Sequence, residues 1–256
     1  MRPVVKVVEN IEEDGGETTK DKLLGGRILL FQPRKGYRAA LDSVLLASAV
    51  PAADGDSVMD LGSGVGSASL CLAYRVKECH IEGIEVQEPL LSLGIQNISL
   101  NGFEKRIKFI LGDVSEVEKL WKPRFDHVMI NPPYLPASRA QTTSALDRSR
   151  IEVGIGLREW VYAAASLARD AGTLTFIHRA DRVDELLSRV REVAGDISVF
   201  PIWPSFGKEA KRVIVRGRKG RRGPVKFCAG LVLHDGEGQY TISATQILYS
   251  GGALEF

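Results

Sequence analysis

The sequence predicts an α/β fold with a mostly parallel sheet, helices on both faces and an antiparallel edge near the C-terminus. Three observations favour this fold class. From residue 57 onward, short β-type runs alternate with helical stretches, which is typical of a parallel sheet. A glycine-rich turn at residues 62–66 follows the first of these runs, and an apolar run at residues 125–130 stops at two prolines. Ligands of such sheets bind beyond the carboxyl ends of the strands.

The composition is that of a soluble globular chain. Its 256 residues are 44% hydrophobic and 26% charged, and no run approaches the 18 apolar residues of a membrane span. Acidic residues near the start occupy the place of a signal peptide's apolar core, so we expect a cytoplasmic protein without membrane contact. Three cysteines without a C-x-x-C pair predict neither a disulfide framework nor a zinc site. We therefore expect no metal.

The segment before the alternating pattern predicts a separate N-terminal element. We expect an irregular arm over the first 20 residues. The pair Gly25-Gly26 lies between apolar runs and predicts a short hairpin. Residues 39–50 have helical apolar spacing, and Pro51 ends that helix. We accordingly divide the chain into residues 1–50, the arm, hairpin and helix, and residues 51–256, the main domain.

The elements of the main domain follow in order along the chain. Strands are predicted at residues 58–60, 80–84, 107–111, 125–130 and 172–178, and helices at residues 68–74, 89–101 and 183–193. After these, four further strands are predicted at residues 197–201, 212–216, 231–234 and 240–245. Turns join the last four, so they predict the antiparallel edge.

The glycine-rich turn carries an acid and predicts a ligand with positive charge. It places Gly62, Ser63, Gly64 and Gly66 after a strand that contains Asp60. Glycines permit a sharp turn and close approach of a ligand, and the following helix start offers free N–H groups. The third glycine comes one position earlier than in the dinucleotide pattern. The Asp60 carboxylate would repel a pyrophosphate and attract a sulfonium or ammonium group.

The tetrad Asn131-Pro132-Pro133-Tyr134 ends the apolar strand and predicts a methyl-transfer site. A conjugated NH2 group is a poor nucleophile because its lone pair is delocalised. Acceptors such as the Asn131 side-chain oxygen and the Pro132 carbonyl can bind that NH2 and localise the pair. The Tyr134 ring offers a face on which a planar target can stack. Asn-Pro and Pro-Pro are also ordinary turn signals.

These features resemble the class I S-adenosylmethionine-dependent methyltransferases, which have a Rossmann-like fold. In that family the acid and glycine loop hold the methionine moiety of the cofactor. An acid after the next strand binds the ribose, and an Asp after the third strand binds the adenine amine. The pairs Glu85-Val86 and Asp113-Val114 match these positions, and Glu85 stands 25 positions after Asp60. The resemblance implies S-adenosylmethionine as cofactor, bound by these residues and by Asn131.

The tetrad selects the group of amino-methyltransferases within that family. The flanking segments at residues 25–46 and 172–179 resemble the tRNA enzymes that methylate adenine N6 beside the anticodon of valine tRNA. This similarity implies tRNA as substrate and places Tyr37, Arg38 and Asp42 at the methionine end of the site. Protein glutamine methylation, methylation of a small molecule, and an RNA-binding protein without turnover remain alternatives.

Two further segments bear on the substrate. Nine basic residues and one acid lie between residues 205 and 226, which fits either nucleic-acid binding or a solvated basic loop. The segment between Leu135 and Leu157 contains Arg139, Arg148 and Arg150. It is predicted either to close over the substrate or to be a loop without function.

Overall fold

A computed structural model describes part of the chain in detail. For three short strands, at residues 9–12, 135–136 and 151–152, only the backbone is described. The described residues are 9–12, 17–35, 38, 41–133, 135–136, 151–152 and 155–256.

The N-terminal segment forms a small antiparallel sheet of three strands, β1 (Glu9–Glu12), β2 (Thr18–Leu23) and β3 (Ile28–Pro33). The predicted hairpin joins β2 to β3 through a short 3₁₀ turn at Leu24–Gly26. The expectation of an irregular arm is wrong for the described residues, because β1 pairs with β2. Backbone hydrogen bonding to β2 thus forms a strand at residues 9–12, whose sequence Glu-Asn-Ile-Glu has no apolar alternation.

The central sheet has nine strands, which alternate with helices along the chain as the sequence predicts. Its strands are β4 (Ser57–Leu61), β5 (His80–Glu85), β6 (Ile107–Leu111), β7 (Phe125–Ile130), β10 (Ala168–Arg179), β11 (Ala194–Ser205), β12 (Arg212–Lys219), β13 (Lys226–Phe227) and β14 (Leu231–His234). The two short strands β8 (Leu135–Pro136) and β9 (Ile151–Glu152) form a separate parallel pair.

Seven helices complete the described residues: α1 (Leu41–Ala49), α2 (Ser67–Arg75), α3 (Glu88–Leu100), α4 (Val117–Leu120), α5 (Leu157–Leu167), α6 (Val183–Val193) and α7 (Ile242–Ser250). Among the described residues, no helix is both long and apolar enough to cross a membrane.

The strand order is β13-β11-β12-β10-β7-β4-β5-β6, with β14 also beside β11. Within this sheet, β12 runs against its neighbours β10 and β11. Both β13 and β14 pair in parallel with β11. The predicted antiparallel edge therefore consists of one reversed strand inside the sheet. Consequently the carboxyl ends of the parallel strands all lie along one edge, which we call the carboxyl edge.

Alternate residues of the strands enter two separate apolar layers, as the period of two requires. On one face Val58, Ile81 and Met129 join the layer under α1, α2, α3 and α7. On the other face Met59, Ile84 and Val128 join the layer under α4, α5 and α6. Helices therefore cover both faces, as the sequence predicts.

The strand predicted at residues 240–245 is wrong, because most of that stretch belongs to helix α7. Thr241 is the N-cap, and its side-chain oxygen accepts a hydrogen bond from the Ala244 N–H at 3.2 Å. Ala244, Ile247 and Leu248 are buried in the layer that also contains α1. The Tyr-Thr-Ile run has high β propensity, but the packing of Ala244, Ile247 and Leu248 into the core favours a helix.

The N-terminal sheet is attached to α3 by two asparagines that imitate a neighbouring strand. Asn97 accepts from the Phe31 N–H at 2.6 Å and donates to the Phe31 carbonyl at 2.9 Å. Asn101 makes the same pair of bonds with Leu29, at 3.0 and 2.7 Å. These bonds satisfy backbone groups of the edge strand β3 that would otherwise need a further strand.

Candidate active site

Register alignment brings the predicted site residues to the same part of the carboxyl edge. Leu61, at the end of β4, pairs with Ile84 of β5 on one side and with Ile130 of β7 on the other. Neighbouring strands lie about 4.8 Å apart. The glycine loop after Leu61 therefore lies between Glu85 and Asn131, and Asp113 follows the next strand, β6.

The glycine loop has a backbone that other residues would strain. Gly62, Gly64 and Gly66 have φ values of 73°, 55° and 86°, which are costly for residues with a Cβ atom. The N–H groups of Gly62 and Ser63 both donate to the Ile84 carbonyl at 3.0 Å. A Cβ atom on Gly62 would lie 2.8 Å from Cη2 of Trp160. Both the conformation and the space thus require glycine at position 62.

Glu85 is bound to the glycine loop as well as to its own strand end. Its Oε2 accepts from the Gly64 N–H at 2.9 Å, and its Oε1 accepts from the Gln87 N–H at 2.9 Å. Only 5% of the residue is exposed, and burial raises the pKa of the carboxyl group, while the backbone donors lower it. Each carboxylate oxygen can accept a second hydrogen bond, so a ligand hydroxyl has acceptors available here.

Asp60 is a buried carboxyl group at the base of the loop. Burial, together with the charge of Glu85, raises its pKa to about 7, against the opposing effect of a hydrogen bond from Ser69. The Ser69 hydroxyl donates to Asp60 Oδ2 at 2.6 Å. A cation bound beside Asp60 would favour its ionised form. The site therefore has electrostatic preference for a positively charged ligand group.

Two further polar groups belong to the surroundings of the loop, and only the first has a hydrogen-bond partner among the described residues. Asn97, which holds β3 against α3, also donates to the Val65 carbonyl within the loop at 3.0 Å. The Ser63 hydroxyl is buried and has no hydrogen-bond partner within the part of the chain that the structure describes. Buried polar groups usually have partners. The free hydroxyl, the buried acid and the constrained glycines together fit the amino-acid end of S-adenosylmethionine.

The outer part of the predicted cofactor site is more exposed. Oδ1 of Asp113 accepts from the N–H and from the hydroxyl of Ser115, both at 2.7 Å, so Asp113 caps the turn Val114–Glu116. Val86 is 60% exposed, and Leu111 before the Asp is 53% exposed. Val114, in contrast, is buried in the core layer. An exposed valine and leucine beside an aspartate form a surface that suits a flat heterocycle with an amino group.

The structure describes three of the four residues of the tetrad. Asn131 and Pro133 are half-buried and Pro132 is buried, directly after β7. Tyr134 lies outside the described residues, as do Tyr37 and most of the segment from residue 137 to 154, with Arg139, Arg148 and Arg150. The sequence roles of these residues stay predictions.

Arg38 and Asp42 have structural partners in the described residues. Arg38 forms a salt bridge with Asp21 at 2.8 Å and also donates to Thr19 and to the Pro33 carbonyl. Asp42 accepts from Nε of Arg212 at 2.9 Å. The next residue, Ser43, contacts the Ser67 hydroxyl at 3.0 Å, at the start of the helix after the glycine loop. The helix that carries Asp42 thus packs beside the loop, and the role of Arg38 and Asp42 toward a ligand stays a prediction.

Trp160 is a site residue that the sequence motifs do not reveal. It lies in the first turn of α5, where Leu157, Trp160, Val161 and Ala164 are all buried. Their spacing of three and four residues predicts a helix face. However, the contact of the indole with Gly62 joins segments nearly a hundred residues apart, and no local signal indicates it. The indole lies against Gly62 and leaves no room for a Cβ atom there.

Comparison with known proteins decides the family. Residues 52–190 match the family described as "Methyltransferase domain". The chain belongs to this methyltransferase-domain family. The match runs from β4 into α6, and so includes the glycine loop, Glu85, Asp113 and Asn131. The prediction of a methyltransferase with S-adenosylmethionine as cofactor is confirmed.

Curated relatives of this methyltransferase differ in their named substrates. The chain is 24% identical over 222 residues to the tRNA1(Val) (adenine(37)-N6)-methyltransferase of Actinobacillus succinogenes, covering 86% of this chain and 92% of that protein. It is 29% identical over 168 residues to the release factor glutamine methyltransferase of Chlorobaculum tepidum, covering 61% and 56%. The predicted similarity to the tRNA(Val) adenine-N6 enzymes is confirmed.

Among solved structures, the fold is similar to that of Atu636 from Agrobacterium tumefaciens, which is described as a predicted O-methyltransferase. The TM-score is 0.71 with 26% identity, and the alignment covers 84% of this chain and 98% of that protein. This likeness confirms the predicted methyltransferase fold with its mostly parallel sheet. Among the described residues, no cluster of His, Cys, Asp or Glu side chains is arranged to hold a metal ion.

Proposed function

We propose that this methyltransferase methylates the N6 amino group of an adenine in tRNA. One observation carries the proposal. The Asn131-Pro132-Pro133 end of β7 lies directly beside the glycine loop at the end of β4, because Ile130 and Leu61 are paired in the sheet. Acceptors for a planar amino group and the groups suited to a charged methyl donor thus share one edge.

The cofactor positions follow from the groups already described. S-adenosylmethionine supplies an electrophilic methyl group on a sulfonium when it is bound. Asp60 provides negative charge at the methionine end, and the Ser63 hydroxyl supplies a free donor there. Glu85 would accept hydrogen bonds from the ribose, and Asp113 would accept one from the adenine amine beside the exposed Val86. Asp60, Glu85 and Asp113 lie at the ends of the neighbouring strands β4, β5 and β6, and this row of acceptors suits an extended ligand.

The residues after β7 act on the target amine. The Asn131 side-chain oxygen and the Pro132 carbonyl accept hydrogen bonds from the two N–H groups and thereby localise the nitrogen lone pair. Proline supplies no competing backbone N–H at positions 132 and 133. Tyr134 stacks on the target ring, which is turned out of its own stack. The surplus proton leaves from the methylated nitrogen to water.

Several lines of support favour tRNA over protein. The relative named for tRNA1(Val) adenine-37 aligns over most of both chains, whereas the release factor enzyme aligns over little more than half of each. Exposed basic residues follow β11 and β12, which suits a polyanion.

We also propose that residues 1–50 cover the cofactor site of the catalytic domain at residues 51–256, with Tyr37, Arg38 and Asp42 near its methionine end. Because tRNA is a cytoplasmic substrate, we also propose that the enzyme acts in the cytoplasm.

A comparison of three substrates tests this function. The purified protein is incubated with S-adenosylmethionine carrying a labelled methyl group and with three substrates in parallel. These are an unmodified transcript of valine tRNA, a release factor protein and a small-molecule extract. We expect the label in the tRNA, and nucleoside mass spectrometry to identify N6-methyladenosine. Label in the release factor would instead support glutamine methylation, and label in the extract a metabolite methyltransferase.

A transcript with guanine in place of the target adenine is the matched control. It keeps the charge and shape of the tRNA but lacks the N6 amino group. Continued incorporation of label into this transcript would contradict adenine as the target.

A further inference from the structure

The fold divides the basic segment of the sequence into two parts at opposite ends of the sheet. Strand β12 begins with Arg212 opposite Arg179, at the carboxyl edge, and ends with Lys219. Its seven residue steps of about 3.3 Å span roughly 23 Å. Lys208 and Lys211 therefore lie on the side of the methyl-transfer site. Residues 218–226, which we call the arginine loop, lie at the other end.

Three of the nine basic side chains have structural roles. Arg212 forms the ion pair with Asp42 at 2.9 Å. Arg216 donates to the Ala49 carbonyl at 3.1 Å and lies over the Phe256 ring at 3.7 Å. Lys219 donates from Nζ to the Ala168 carbonyl at 2.8 Å. These three therefore stabilise the fold. The presence of the remaining six basic residues needs another explanation.

The backbone of the arginine loop is held firmly against β11 and α6. A Cβ atom on Gly195 would collide with the Arg221 carbonyl group, so only glycine permits this close contact. The guanidinium of Arg191 donates to the Gly223 carbonyl at 2.5 Å. The Gly220 N–H donates to the Val193 carbonyl at 3.1 Å. An ordered backbone lowers the entropy that is lost when the loop binds a partner.

Four of the five cations in this loop are exposed and have no salt bridge among the described residues. Arg218, Arg221, Arg222 and Lys226 are all exposed, and no salt bridge to them occurs among the residues that the structure describes. Elsewhere on the surface arginines are paired with acids, as in Arg124–Glu82, Arg169–Asp126 and Arg189–Glu192.

Asp196 is a carboxylate near this loop, and its Oδ1 lies against Gly223. Asp196 forms no salt bridge with Arg218, Arg221, Arg222 or Lys226 within the part of the chain that the structure describes. Each of these cations is consequently available to an anionic partner.

We propose that Arg218, Arg221, Arg222 and Lys226 bind backbone phosphates of the RNA substrate, at the end of the sheet opposite to methyl transfer. This inference rests on the proposed function and adds a second contact to it. Guanidinium groups match phosphate geometry with paired hydrogen bonds. Phe227, 69% exposed next to Lys226, offers a face for an unpaired base. The substrate must then extend more than about 20 Å from the methylated adenine, which a folded tRNA does.

Charge reversal in the loop tests the contact. The double variant Arg221→Glu/Arg222→Glu is compared with the unaltered enzyme, using the valine tRNA transcript and measuring both binding by fluorescence anisotropy and steady-state methylation. We expect Kd and KM to rise at least about tenfold at physiological salt, with kcat at saturating tRNA unchanged. The slope of log affinity against log salt should fall in magnitude by about 1.4 to 1.8, for two lost phosphate contacts.

Two further variants separate charge from folding. Arg221→Lys/Arg222→Lys keeps the charge, and we expect it to retain most of the affinity. Lys105→Glu/Lys108→Glu makes the same charge change at two exposed lysines, one just before β6 and one within it, and we expect tRNA binding close to that of the unaltered enzyme. A loss of kcat and thermal stability in the Glu variant that the Lys variant shares would indicate a structural role and overturn the proposal.

The remaining outcomes also decide the question. Equal tRNA binding by the unaltered enzyme and the Arg221→Glu/Arg222→Glu variant would overturn the RNA contact, even if tRNA is the methylated substrate. Binding of polyglutamate that depends on these arginines, in place of tRNA binding, would assign the loop to an acidic protein. Failure of the proposed function is distinguishable, because it appears as absent tRNA methylation by the unaltered enzyme, while anisotropy still reports whether the loop binds RNA.

Discussion

The carboxyl edge and the arginine loop hold charged side chains in opposite environments. At the carboxyl edge, Asp60 and Glu85 are buried carboxyl groups with hydrogen bonds from Ser69 and from backbone N–H groups. At the other end, the arginine loop presents cations that are exposed and lack salt bridges among the described residues. Burial strengthens an electrostatic contact with a small ligand. Exposure instead suits a large polyanion, whose binding depends on the release of counterions.

The largest expected effect concerns the carboxyl edge. We expect Asn131→Ala to lower kcat by at least about 10² to 10³, because it removes one of the acceptors for the target amine. S-adenosylmethionine binding, measured by calorimetry, should persist, since the glycine loop and the acids are unchanged. An equal loss of cofactor binding and methylation would contradict this division of roles. Asn101→Ala is the matched control, because Asn101 binds β3 and should affect stability and not kcat.

A second prediction concerns how rigidly the cofactor loop is held. We expect Gly62→Ala to weaken S-adenosylmethionine binding by about 10- to 100-fold and to destabilise the protein by about 1 to 3 kcal/mol. The reasons are the φ of 73° and the contact of the new Cβ with Trp160 at 2.8 Å. Calorimetry and thermal unfolding measure the two effects.

Gly102→Ala separates these causes. Gly102 has a φ of 70°, but a Cβ atom added there would meet no atom within 4 Å. This variant should therefore carry the conformational cost without the steric one. Adding Trp160→Phe to Gly62→Ala should recover part of the affinity. Identical behaviour of the alanine variants at positions 62 and 102 would show that Trp160 does not constrain the loop.

The smallest expected effect is a pH dependence that arises from Asp60. Its pKa of about 7 lies above the ordinary value of 3.8 because of burial, so the cofactor-free protein holds a proton there that the unfolded chain has lost. Asp60 therefore lowers the stability of the free protein increasingly as pH rises from about 4 to 7. The affinity for S-adenosylmethionine should instead increase as pH rises, since the ionised Asp60 carboxylate attracts the positively charged cofactor groups.

Calorimetry at several pH values checks this effect. We expect S-adenosylmethionine affinity to fall about tenfold from pH 8 to pH 6, with the Glu85 carboxyl, whose pKa is also raised by burial, contributing to the change. Asp60→Asn should bind more weakly and lose most of this dependence. Asp113→Asn, at an exposed carboxylate, should bind more weakly but keep it. A dependence that survives in Asp60→Asn would assign the titration to another group.

Prediction from the sequence succeeded best where a local pattern is repeated. The helix at residues 183–193 and the strands at 107–111, 125–130 and 231–234 have the predicted bounds. Alternating apolar residues and glycine or proline stops produce these signals. Prediction failed at residues 240–245, where the packing of α7 against the core outweighs local β propensity.

The candidate site was predicted in its positions along the chain but not in its contacts. Asp60, Glu85, Asp113 and Asn131 do lie at or just after the ends of four strands and share one edge, although their ligand roles stay predictions. Three contacts of the loop had no sequence signal: Trp160 against Gly62, Asn97 with Val65, and Ser69 with Asp60. Each joins segments whose separation in the sequence gives no indication of their distance in space.

By itself, the sequence determined the α/β class, the strand ends that carry the acids and the tetrad, and the methyltransferase family, because these depend on local periodicity and short motifs. Only the tertiary structure decided which of these groups are buried, how the glycine loop is held, and where charge is exposed. The basic segment is the clearest case. This segment is continuous in the sequence, but strand β12 crosses the sheet within it. Residues before β12 therefore lie at the carboxyl edge, and the arginine loop lies at the opposite end of the strands.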